Sequence, residues 1–155
     1  MKISEKYIHF INIAIDISKT AKYPYGAIIV KNNKIIGRSD NKTFVENSPY
    51  AHSELMAIED AVKNNMNLYG ELAGSTLYTS CEPCLMCMGG VIYEKLSKVV
   101  YAATLEDSEK YIVEEVKVKP KDIIALAKAE IEIIGEVERE KAVQVLKNWR
   151  KNNEI

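Results

Sequence analysis

The chain has 155 residues, with 21 Lys and Arg against 22 Asp and Glu, for a formal net charge of -1. That balance gives no global pull toward nucleic acid or an anionic membrane, and no uncharged stretch of about 18 residues is present to span a bilayer. All three cysteines fall between Cys81 and Cys87, which argues against a disulfide framework and makes the reducing cytoplasm the expected compartment.

The length fits a single domain over 1–155. Ile3, Tyr7, Phe10, Ile11, Ala14, Ile15 and Ile17 recur at helical spacing and predict a helix over roughly 4–22. His9, Asn12 and Asp16 interrupt its apolar run, so it reads as an amphipathic helix and not a signal peptide. Tyr23-Pro24-Tyr25-Gly26 ends it. Ala27 to Val30 and Lys34 to Ser39 flank Asn32-Asn33 and predict a β-hairpin. The Gly26-Ala27 pair leaves room for a ligand to approach the backbone. Asp40 to Tyr50 is polar and reads as a loop. Ala51 to Asn65 carries an apolar stripe of Leu55, Ile58, Ala61 and Val62 and reads as a helix.

Ser75 to Ser80 predicts a strand. Pro83 suits the first turn of a helix over 83–95. Lys98 to Ala102 predicts a strand. Glu106 to Lys119 is charged and ambiguous, a loop with a short helix. Lys121 to Lys128 predicts a helix, Glu130 to Ile134 a strand and Val137 to Arg150 a closing helix. Strands alternating with helices indicate an α/β sheet domain.

Two segments carry chemistry. Ala51-His52-Ser53-Glu54 opens one helix and Pro83-Cys84-Leu85-Met86-Cys87 opens another. Cysteines at i and i+3 share a helix face and can grip one metal, and a histidine brings the set to three. A catalytic zinc keeps three protein ligands and one open position, and a neighbouring carboxylate, Glu54, is placed for general acid/base work. Two alternatives stand beside this reading. One is a thioredoxin-like redox pair at Cys84 and Cys87. The other is a closed structural zinc with Cys81 as fourth ligand.

His-x-Glu followed by Pro-Cys-x-x-Cys is the signature of zinc deaminases acting on nucleobases. Over about residues 5–105 the chain resembles the cytidine deaminase-like superfamily. The resemblance implies a three-layer α/β/α fold around a central five-stranded, mostly parallel sheet. It also implies one Zn2+ per chain held by His52, Cys84 and Cys87, a catalytic water, and Glu54 as proton shuttle.

Leu77 to Cys84 with Met86-Cys87, Pro24 to Ala27 with Val30-Lys31, and Asn47 to His52 are similar to the bacterial guanine deaminase branch. That likeness implies Asn41 on the base, Ala51 and Tyr25 beside it, and Tyr93 lining the pocket. Trp149 falls in a C-terminal segment that closes an active site, in some members that of a partner subunit, so a homodimer is expected. The branch carries a Phe-Asp-Asp segment after the fourth strand, which Thr104 to Glu109 lacks. Glu106 and Asp107, with Glu109, are the acids there that stand where a proton relay would; a solvated charge run is the other reading.

The implied activity is hydrolytic deamination of a small-molecule nucleobase or nucleoside, foremost guanine to xanthine plus ammonia. The tRNA adenosine deaminases share both motifs and are the runner-up, although the chain has no glycine between Gly90 and Gly135 to match their glycine-rich segment. Cytosine deaminases follow, and a zinc-stabilised binding module is the non-enzymatic alternative.

Overall fold

Apolar residues at helical or alternating spacing set each element. The computed structural model, which describes residues 2–65, 72–112 and 116–153, arranges these elements about one sheet. In chain order they are α1 (Glu5–Thr20), β1 (Gly26–Lys31), β2 (Lys34–Asp40), α2 (Ser53–Asn65), β3 (Thr76–Cys81), α3 (Leu85–Tyr93), β4 (Lys98–Ala103), α4 (Leu105–Glu109), α5 (Pro120–Ala127), β5 (Glu132–Ile134) and α6 (Arg139–Asn153). Among the described residues no helix is long and apolar enough to cross a membrane.

The strand order is β2-β1-β3-β4-β5. β1 runs antiparallel to both neighbours, whereas β3–β4 and β4–β5 are parallel. Four strands therefore share one direction and β1 alone opposes them. The reversal comes from the hairpin turn, where Asn32 and Asn33 both hold positive φ, as a two-residue turn matching the sheet twist requires.

Strand side chains alternate between two apolar layers. Ile28, Val30, Tyr78 and Val100 pack against Phe10, Ile11, Ala14 and Ile15 of α1 and Ala142 and Leu146 of α6. Ala27, Ile29, Leu77 and Val99 pack against Ala57, Ile58 and Ala61 of α2, Met88 and Val91 of α3, and Ile123 of α5. The result is three layers, as expected. Each large side chain so buried contributes about 1.5–3 kcal/mol.

Close backbone approach seats the site-bearing helix. A Cβ on Gly37 would lie 2.4 Å from the Ala57 carbonyl and 2.6 Å from the Ala61 amide, so α2 sits hard against β2. Gly26 does the same for α1, where a Cβ would lie 2.4 Å from the Ala14 carbonyl. The room at Gly26 is therefore taken by α1 and not by a ligand.

Several element ends differ from the sequence reading. α3 begins at Leu85, with Cys84 as an extended N-cap (φ -73, ψ 172), so Pro83 precedes the helix and does not fill its first turn. α6 begins at Arg139 because Glu136 and Glu138 hold left-handed backbone (φ 62 and 57). Within the ambiguous charged stretch, α4 is a single short helix held by a Thr104–Asp107 capping box, where each side chain accepts from the other's backbone N–H. Residues 113–115 lie outside the described residues.

Candidate metal centre and catalytic pocket

Two helix starts face each other. The His52 carbonyl accepts the first helical bond of α2 from the Met56 N–H at 2.9 Å, which puts the His52 ring at the helix mouth. The extended Cys84 turns its sulfur to the same place, and Cys87 follows one turn into α3. Cys84 Sγ, Cys87 Sγ and His52 Nδ1 form a triangle with all three sides at 3.6 Å. Tetrahedral zinc, with Zn–S near 2.3 Å and Zn–N near 2.0–2.1 Å, asks for edges of about 3.5–3.8 Å. Among the described residues these three are the group that can hold a metal ion. The two thiols and one imidazole thus fit zinc in both distance and donor type.

The Cys84 thiol is held down to about 4, chiefly by its contact with Cys87 and then by His52, against the opposing effect of burial. The same contact, with burial, pushes the Cys87 thiol up, so the pair carries its one negative charge on Cys84. Cys81 takes no corner of the triangle. It is buried, and its thiol donates to the Thr104 carbonyl at 3.6 Å.

Glu54 stands beside this triangle. It is buried, and its Oε2 lies 3.5 Å from Cys87 Sγ. Ser53 Oγ donates to Oε2 and Thr79 Oγ1 donates to Oε1, each at 3.1 Å, so the carboxyl is held from α2 and β3 together. Burial raises its pKa first and the negative Cys84 adds to this, while His52 and Ser53 oppose. A carboxyl raised toward neutrality can both take and give a proton, as a general acid/base must.

His52, Glu54 and Cys84 open into a cavity of about 400 Å³ walled by Tyr23, Tyr25, Asn41, Thr43, Glu82 and Leu105. A separate groove of about 500 Å³ between α1 and α6 carries none of the metal-binding side chains.

A model of the cytidine and deoxycytidylate deaminase zinc-binding region matches residues 4–103. The chain belongs to this deaminase family. Like its relatives it is therefore a zinc deaminase by class, a hydrolase of C–N bonds. It is 31% identical over 152 residues to the tRNA-specific adenosine deaminase of Buchnera aphidicola subsp. Schizaphis graminum, covering 98% of this chain and 92% of the relative. It is 42% identical over 85 residues to the guanine deaminase of Bacillus subtilis, covering 55% and 53%. The fold matches the solved guanine deaminase of Nitrosomonas europaea with a TM-score of 0.80 at 19% identity, over 97% of this chain and 87% of that one.

The deaminase cavity gathers some of the residues expected in it and leaves out others. Asn41 is in its wall, with Oδ1 accepting from the Thr43 N–H at 3.0 Å and its hydroxyl at 2.6 Å. Tyr25 is also in the wall, its hydroxyl 2.6 Å from Ser108 Oγ. Ala51 is buried behind His52, and its carbonyl accepts from the Lys42 N–H at 2.8 Å. Tyr93 is not brought to the cavity. It is the last residue of α3 and 75% exposed. Nine residues of helix carry it about 14 Å from Cys84, at 1.5 Å per residue.

None of the three acids expected at the relay lines the cavity, and Glu109 is paired with Lys117 at 2.9 Å. Glu106 is exposed and paired with Lys119 at 2.6 Å. Asp107 is buried, but its oxygens are taken by Arg139 at 2.6 and 2.9 Å and by the Thr104 N–H at 3.1 Å. The Arg139 guanidinium holds its carboxyl well below the usual carboxylate range, opposite to what a proton relay needs. Trp149 does not line the cavity either. It packs edge-on to Tyr23 (5.1 Å, 85°) and its indole N–H donates to the Lys22 carbonyl at 2.9 Å. It thus props a wall residue from behind, within its own chain.

Tyr23, Thr43, Pro49, Glu82 and Leu105 of the cavity wall escaped the sequence reading, as did Thr79, which lies outside the wall and bonds Glu54. Tyr23 is the centre of an aromatic cluster with Tyr25, Phe44 and Trp149. Thr79 orients Glu54. Glu82 was legible only as a charged residue flanked by Cys81 and Pro83, a place where a buried carboxylate is unusual enough to question.

Proposed function

We propose that the chain hydrolytically deaminates a purine base, with free guanine, converted to xanthine and ammonia, as its substrate. The observation that carries the deaminase reading is the buried Glu54 held 3.5 Å from one corner of a zinc-sized triangle, at the floor of a base-sized cavity. Zinc held by His52, Cys84 and Cys87 would lower the pKa of a water to about 7. Glu54 would take a proton from that water and deliver it to a ring nitrogen beside the attacked carbon. A proton passed to the departing amine releases ammonia. Asn41 has its Oδ1 satisfied by Thr43, so its NH2 would meet an acceptor on the base. Tyr25 and Tyr23 would wall the ring.

Guanine is supported by the 42% identity over 85 residues to the B. subtilis guanine deaminase. A second reading, adenosine in tRNA, is favoured by the relative matched over 98% of the chain. The exposed Phe44, packed edge-on to the cavity residue Tyr23 and with the Lys22 ammonium 5.5 Å from its ring centre, offers an aromatic and a cation to a flanking nucleotide. A homodimer belongs to the proposal, supported by the apolar surface of Tyr50, Leu85 and Val116 beside the zinc triangle. Light scattering at the monomer mass of 17.5 kDa would remove it.

The test is ammonia release from guanine, adenine, cytosine, their nucleosides and tRNA, with Glu54→Gln alongside. Guanine-only release supports the first reading, and inosine formed only in tRNA establishes the second. Glu54→Gln is expected to keep zinc and lose about 10²–10⁴-fold in rate. A wild-type rate in that variant would remove Glu54 from the chemistry.

A further inference from the structure

Glu82 is a buried carboxylate in the cavity wall, anchored by its own N–H to the Ala103 carbonyl at 2.8 Å. A carboxylate taken out of water needs a counter-charge and hydrogen-bond donors. Its Oε2 accepts from the Leu105 N–H at 3.0 Å and from Lys119 Nζ at 3.0 Å. The Tyr101 hydroxyl also bonds to it, and burial holds that phenol up at about 12. Leu105 is a cavity wall residue too, and Lys119 is the N-cap of α5. One carboxylate oxygen therefore ties together the approach to the zinc helix, the first N–H of α4 and the start of α5. Lys119 also reaches Glu106 at 2.6 Å, but Glu106 is 60% exposed, and a solvated pair of that kind contributes little.

We propose that Lys119 is a positioning residue of the deaminase site, acting through Glu82 to fix the cavity wall formed by Glu82 and Leu105. Lys119 touches no reacting atom. Its charge keeps the Glu82 carboxylate turned toward Leu105, and that contact sets the wall against which a base is held. Without it, an uncompensated buried carboxylate turns toward water, the Leu105 N–H is released and the wall loosens. The effect falls on substrate binding, since the zinc triangle and Glu54 are held by α2, α3 and Thr79.

The inference rests on the proposed deaminase activity for its kinetic arm, and a second arm is independent of turnover. Lys119→Met is expected to raise KM for the base the wild type deaminates about tenfold. Its kcat should stay within about threefold, with zinc content unchanged. Lys119→Arg should recover most of the loss, and Glu106→Gln should behave as wild type. Hydrogen exchange should quicken over residues 104–109 in Lys119→Met and not in Glu106→Gln. If Lys119→Met fails to fold, Lys119→Gln, which can still donate a hydrogen bond but carries no charge, is expected to fold and to raise KM about threefold, and wild-type KM there overturns the proposal. Wild-type KM or wild-type exchange in Lys119→Met overturns the proposal, as does Glu106→Gln matching it. Should the wild type act on no base, the deaminase reading fails by itself and the exchange arm decides the role of Lys119.

Discussion

Replacing Asp107 by alanine separates a fold-holding acid from a proton relay. Asp107 is 2% exposed and accepts from Arg139, at 2.6 and 2.9 Å, and from the Thr104 N–H at 3.1 Å. Losing the reciprocal cap bond costs about 0.5–2 kcal/mol. Losing hydrogen bonds to a buried charged acceptor costs about 1.5–3 kcal/mol. Arg139 is partly exposed and is rehydrated once its partner is gone, which keeps the total near about 2–4 kcal/mol. For a chain of this size that is roughly 6–12 °C in Tm.

The pH dependence has a definite sign. The folded-state pKa of Asp107 lies below its ordinary value of 3.8. The stabilisation is therefore fully present above that value and is lost as pH falls below it. Urea titrations of wild type and variant should differ by a constant amount above about pH 5 and converge below about pH 4. Ammonia release at neutral pH and a temperature where the variant is folded should stay within about threefold of wild type, because Asp107 is outside the cavity wall. An unchanged Tm with a hundredfold or greater loss of rate would refute this reasoning and restore Asp107 as the relay.

Further outcomes follow from the site and its supports. Cys84→Ser is expected to lose zinc and Cys81→Ser to keep it; elemental analysis showing zinc lost from the Cys81 variant would make that residue a ligand. Gly37→Ala drives a Cβ to 2.4 Å from the Ala57 carbonyl. It should cost about 1–3 kcal/mol in urea unfolding and lower zinc occupancy, since α2 carries His52 away. Trp149→Ala frees Tyr23, so KM should rise several-fold while kcat is nearly kept. Trp149 is also the sole tryptophan, so wild-type fluorescence should change on purine binding, and no change would separate it from the cavity wall.

What was legible in the chain was what short spacing encodes. His52, Glu54, Cys84 and Cys87 stand within one helical turn of a partner, so their convergence needed only two helix starts to meet. The three-layer packing was expected only from the family likeness, and the structure accounts for it by sending Ile28, Val30 and Tyr78 to one layer and Ile29 and Leu77 to the other. The reversal between β1 and β2 was legible in the Asn32-Asn33 hairpin turn, but the antiparallel pairing of β1 with β3 was not, because nothing local sets which strand borders the hairpin. The acids after β4 were visible as charges, but nothing local tells that Arg139, over 30 residues on, captures Asp107. Tyr93 was placed by likeness to a family, and the length of α3 carries it away. Glu82 was hidden by its neighbours, since its partners Leu105 and Lys119 are distant in the chain.

The proposed catalytic apparatus is split between two helices. His52 and Glu54 travel with α2, which Gly37 lets rest on β2, whereas Cys84 and Cys87 travel with α3. Ala57, Ile58 and Ala61 meet Met88 and Val91 in one apolar layer. That seam is the gauge of the metal site: a small slip along it would change every distance between ligand halves at once, yet leave the spacing of His52 to Glu54 untouched. The cavity walls proposed to meet a base come instead from the ends and loops around Tyr23, Asn41, Thr43 and Leu105. A substitution in those walls would therefore leave the seam between α2 and α3 untouched, so the proposed base contacts and the proposed metal site can be varied separately.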